Sequence, residues 1–116
     1  MAFLIRTIDF TATGREIVRD RTLEQTRLTV GRAAECDIHL PDLAVEQNHV
    51  RIDTRADGTL AVAAVGTLGF GLDGRSVTEG VIDPRTGGEI ALGSARLAVS
   101  RESDGTILVT IRQVAN

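Results

Sequence analysis

Apolar and polar residues alternate with a period of two along most of this chain, the pattern of half-buried β-strands. Residues 2–9 read A-F-L-I-R-T-I-D and predict a first strand. Residues 26–30 alternate ahead of Gly31, and residues 37–40 form a short segment ended by Pro41. Residues 49–53 alternate again, with Val50 and Ile52 on one face. Further strands are expected over 59–65, 76–78, 81–83, 89–92, 95–100 and 106–111. Asp57-Gly58, Asp73-Gly74, Gly87-Gly88 and Asp104-Gly105 punctuate these segments, and Asp-Gly is a strong hairpin signal. The best helical stretch, 21–27, is too short to carry a stripe. About ten short strands with tight turns predict an antiparallel β-sandwich. Its expected core is Val30, Ile38, Leu40, Val50, Ile52, Leu60, Val62, Ile90, Leu92, Leu97, Val99, Leu108 and Ile111.

Length and charge narrow the function. Residues 1–116 make one domain of ordinary size, compatible with a module of a longer protein. Aromatic residues are only 3% of the chain, so the core must rest on aliphatic interdigitation. A single cysteine forbids an internal disulfide and fits a reducing, cytoplasmic setting. No apolar run approaches the roughly 20 residues that span a bilayer. The first ten residues carry Arg6 and Asp9 and do not read as a signal peptide. All 13 basic residues are arginine, yet the net charge is −3 and the signs are mixed. That balance argues against nucleic acid and against contact with an anionic membrane surface.

Candidate chemistry concentrates in residues 30–52. Arg32 follows a strand and Gly31, where its planar fork has the geometry to meet a carboxylate or phosphate; pairing with Glu35 or Asp37 is the plainer reading. Cys36 and His39 are too few for a structural zinc site, and strand parity turns His39 outward. His49 has no local nucleophile to serve, so it reads as a packed histidine that fixes a loop by hydrogen bonding. Residues 66–71 are glycine-rich but are not followed by a helix, which removes a nucleotide-binding reading. Residues 53–58 lack the ligands of a calcium loop. No metal, cofactor or catalytic group is expected, and the chain does not read as an enzyme.

The order of these pieces resembles the forkhead-associated (FHA) family. The family runs Gly-Arg, then Cys/Ser-Asp-Ile-x-Leu, matched by Gly31-Arg32 and Cys36-Asp37-Ile38-His39-Leu40. Its Val-Ser-Arg-x-His corresponds to Val45-Glu46-Gln47-Asn48-His49. Its Asn-Gly-Thr-x-Val-Asn-Gly corresponds to Leu68-Gly69-Phe70-Gly71-Leu72-Asp73-Gly74, and its last motif to Gly87-Gly88-Glu89-Ile90-Ala91-Leu92-Gly93. The resemblance implies an FHA/SMAD-like sandwich of about eleven strands that reads phosphothreonine peptides. It implies structural roles for Gly31, His49, Asp73 and Gly74. Partner-binding loops would present Arg32, Glu46, Gln47, Asn48, Leu68, Gly69 and Phe70.

The departures redirect that implication. Glu46 stands where the family has a phosphate-binding serine, Gln47 replaces an arginine and Leu68 replaces a peptide-holding asparagine. A phosphate near Glu46 meets like charge. The expected function is therefore a degenerate FHA module that binds a protein or peptide, or scaffolds, without phosphothreonine. The alternative is a phosphothreonine reader rearranged around Arg32. In the first case, Arg32 is expected to pair with Glu46 across the loops.

Overall fold

The computed structural model describes residues 2–113, which form twelve strands and no helix. In chain order they are β1 (Ala2–Phe10), β2 (Glu16–Glu24), β3 (Arg27–Gly31), β4 (Ile38–His39), β5 (Val50–Thr54) and β6 (Leu60–Ala64). Then follow β7 (Phe70–Leu72), β8 (Arg75–Val77), β9 (Glu79–Ile82), β10 (Gly88–Leu92), β11 (Ala95–Arg101) and β12 (Ile107–Gln113). A seven-stranded sheet, in the order β2-β1-β12-β11-β10-β7-β8, packs on a five-stranded sheet, in the order β4-β3-β5-β6-β9. The expected sandwich is present. Most neighbours are antiparallel, but β1 runs parallel to β12 and β3 parallel to β4, so both sheets are mixed.

Two strands go beyond the periodicity. β2 occupies much of the stretch with the best helical pattern, and residues 21–27 are in fact the end of β2, a bend and the start of β3. Of its nine side chains only Ile17 and Leu23 are even half-buried, so no alternation marks it. Pairing with β1 over nine residues defines it instead, with Arg6 donating to both carboxylate oxygens of Asp20 at 2.9 and 3.0 Å. β7 begins at Phe70, inside the glycine-rich stretch, and runs past its end to Leu72.

Every expected core residue is buried except Leu108. The inward parity of β12 belongs to Ile107, Val109 and Ile111, which leaves Leu108 half-buried beside Leu4 on the outer face. Phe3, Ile5, Leu28, Val45, Phe70, Ile82, Ala95, Ile107 and Val109 join them in the core. At the β7–β8 hairpin, Asp73 (φ 49°) and Gly74 (φ 87°) are both left-handed, the conformation a two-residue type I′ turn requires. The Asp73 carboxylate also accepts the Glu89 N–H at 2.8 Å, tying this hairpin to the start of β10.

Candidate functional site

The loops after β3, β4, β6 and β10 are bound to one another, and the segment between β4 and β5 is the hub. It begins against Gly31, where an added Cβ would overlap the Gln47 carbonyl oxygen. Only a glycine permits that approach. Two backbone bonds follow: the Arg32 N–H donates to the Glu46 carbonyl at 2.9 Å and the Ala33 N–H to the Gln47 carbonyl at 3.0 Å. The Arg32 side chain turns back, and its Nε donates to the Val45 carbonyl at 3.0 Å. The expected pair with Glu46 does not form, and none of the four ion pairs among the described residues includes Arg32.

Glu46 reaches the β6–β7 loop instead. One carboxylate oxygen accepts the Leu68 N–H at 2.7 Å, and the other accepts the Thr67 N–H and the Thr67 hydroxyl, each at 3.1 Å. These donors, the Leu68 N–H foremost, hold the Glu46 carboxyl below its ordinary range. Arg32 and Glu46 thus part because each finds a backbone partner in a fixed position.

His49 bridges the same two loops and is only 3% exposed. Its Nδ1 accepts the Glu46 N–H at 3.0 Å, which leaves the proton on Nε2, and Nε2–H donates to the Gly69 carbonyl at 2.8 Å. Both ring nitrogens are satisfied by backbone. A third tie comes from Asp42. Its carboxylate accepts the Ser94 N–H at 2.9 Å, the Ser94 hydroxyl at 2.8 Å and the Ala44 N–H at 2.9 Å. The Ser94 N–H, then the Ala44 N–H, hold this carboxyl low as well. The available sequence signal was an Asp after Pro41 and two residues before Ala44, the spacing of an Asx turn.

The remaining candidates divide by exposure. Gln47, Asn48, Leu68 and Gly69 are exposed, with Leu68 at 50%, and Leu43 in the β4–β5 segment is 91% exposed. Phe70 is not a loop-surface residue: as the first residue of β7 it points into the core, and is 5% exposed. Cys36 is buried, its thiol 3.4 Å from the Gln47 carbonyl, and burial raises its pKa. His39 is exposed. No three His, Cys, Asp or Glu side chains converge as a metal site among the described residues. Between the loops lies an open hollow of about 380 Å³, bordered by Ala44, His49, Leu68, Gly69, Ser76 and Ala91, with no Asp, Glu, Lys or Arg in its lining.

The lowered carboxyl groups carry a pH dependence. A carboxyl whose pKa is depressed on folding adds stability above its unfolded pKa and loses it as pH falls through the folded one. Stability is therefore expected to fall on acidification below the ordinary carboxylate range. Glu46→Gln and Asp42→Asn should each flatten that fall, in denaturant midpoints measured from neutral to acid pH. Slopes identical to that of the unsubstituted protein would refute the contribution of these two groups.

Comparison with known proteins agrees with this geometry. The family model described as "Inner membrane component of T3SS, cytoplasmic domain" matches residues 12–103. No curated protein matches the chain. Among solved structures, the FHA domain of the CT664 protein from Chlamydia trachomatis superposes with a TM-score of 0.66 at 19% identity, covering 89% of this chain and all (100%) of that one. An FHA domain studied for phosphothreonine-dependent interactions gives 0.62 at 22% identity, covering 87% and 96%. The FHA-2 domain of the Mycobacterium tuberculosis ABC transporter Rv1747 gives 0.57 at 20% identity, covering 75% and 76%. The fold is that of a divergent FHA domain. No helix among the described residues is long and apolar enough to cross a membrane.

Proposed function

The chain belongs to the family described as the cytoplasmic domain of an inner membrane component of T3SS, and from that premise we propose that it is a non-catalytic docking module that binds a protein or peptide partner without reading phosphothreonine. The observation that carries this reading is the Glu46 carboxylate on the Thr67 and Leu68 amides. An anion already occupies the amides of the β6–β7 loop, and it comes from the position at which the FHA pattern has a serine that donates to phosphate. A phosphoryl group approaching those amides would meet like charge. Gln47 adds no cation, and Leu68 offers an apolar side chain in place of a two-sided amide.

The proposed contact residues are Arg32, Glu46, Gln47, Asn48, Leu68 and Gly69. Gly31 and His49 would shape these loops from beneath, and Asp73 and Gly74 would set the β7–β8 turn. The partner would belong to the apparatus that the family description names, and the domain would be joined to further parts of its own protein.

A calorimetric titration against a phosphothreonine peptide library and its unphosphorylated twin tests the reading. The expected result is no binding confined to the phosphorylated set. Micromolar binding to that set alone, abolished by Arg32→Ala, would establish the rearranged phosphothreonine reader instead.

A further inference from the structure

The β6–β7 loop holds an anion already, and that anion is part of the chain. Two successive backbone N–H groups, of Thr67 and Leu68, point at one carboxylate, and the Thr67 hydroxyl adds a third donor. Successive N–H groups in a loop form a concavity that selects negative charge. The space for that charge exists because residue 66 is glycine: a Cβ there would lie 2.5 Å from each Glu46 carboxylate oxygen. Glu46 is a hub residue in its own right, since its N–H is held by His49 and its carbonyl by Arg32. Its carboxylate is therefore delivered to the loop from a fixed backbone.

We propose that residues 66–68 form a carboxylate-binding seat filled from within by Glu46, so that a carboxylate from outside the chain enters only by displacing it. The seat is built from loop amides and a glycine, and it does not use Arg32. While Glu46 fills it, the β4–β5 and β6–β7 loops move as one surface and their donors are closed to external anions. A partner that carries an acidic side chain can exchange with Glu46 at this point, and one without it meets a closed loop. The seat is a property of the chain alone, so it stands or falls separately from the docking role.

Amide NMR of the full chain, titrated with sodium acetate against a sodium chloride control of equal ionic strength, tests it. In the unsubstituted protein the Thr67 and Leu68 amide resonances should lie downfield and ignore acetate. In Glu46→Ala both should move upfield, and acetate, not chloride, should return them toward their original positions in a saturable way. Adding Gly66→Ala to that variant should abolish the response, because the new Cβ fills the seat. Gly66→Ala alone keeps the carboxylate but evicts it from the loop, so it covers the case in which Glu46→Ala does not fold. It should shift the same two amides while leaving core resonances in place. Acetate sensitivity of the two amides in the unsubstituted protein, no acetate response in folded Glu46→Ala, or no shift of either amide in Gly66→Ala would each overturn the proposal.

Discussion

Replacing His49 by alanine should lower stability by about 3 kcal/mol, from two stranded backbone groups and the cavity left by the ring. The Glu46 N–H loses its acceptor on Nδ1 and the Gly69 carbonyl loses its donor on Nε2. Because the ring is almost fully buried, water does not simply replace it. In a domain of this size the loss corresponds to a fall in melting temperature on the order of 10 °C. The damage should also spread to the β6–β7 loop, since His49 and Glu46 are the two side chains that hold it to the β4–β5 loop. Thermal unfolding followed by circular dichroism measures the effect. A substitution that leaves the melting temperature in place would show that the ring does not anchor the loops.

Ile52→Ala should cost about 2–5 kcal/mol, the range for removing a large aliphatic side chain from a packed core. Ile52 sits mid-strand in β5, fully buried, with Leu28 and Val62 opposite it on the flanking strands. With three phenylalanines as the only aromatics, the core has few large side chains to relax into the space. Leu108→Ala is the matched control. It removes a similar volume from the outer face of β12 and should cost about 1 kcal/mol or less, near the range for substitutions outside the core. Urea unfolding of the two variants separates them. Equal losses would contradict the strand parity that puts Ile107 and Val109 inside.

The strands that were legible are those with one dry and one wet face. Val50 and Ile52 on β5, or Leu97 and Val99 on β11, announce their strand because burial alternates with the pleat. β2 was hidden for the same physical reason: a strand with neither face dry has no period to read. β7 was masked by the glycines around it, and with it the inward direction of Phe70. The error over Leu108 was one of parity, since Leu108 and Ile111 cannot face the same side of a regular strand. At the site, Gly31 and His49 could be located through a spaced motif. The partners of Arg32 and Glu46 could not, because charge favours joining them while loop geometry gives each a nearer backbone group. Asp42 was overlooked because its main partner, Ser94, is 52 residues away along the chain.

Side chains of the β4–β5 segment, those of His49 and Glu46, hold the neighbouring loops as one preformed surface. Amide hydrogen exchange at Glu46, Thr67 and Leu68 in the unsubstituted protein tests it most directly, because these three N–H groups donate to His49 and to the Glu46 carboxylate. All three should exchange well below the rate of an open loop, and all three should speed up together in His49→Ala. Exchange at open-loop rates for Thr67 and Leu68 in the unsubstituted protein would contradict the claim.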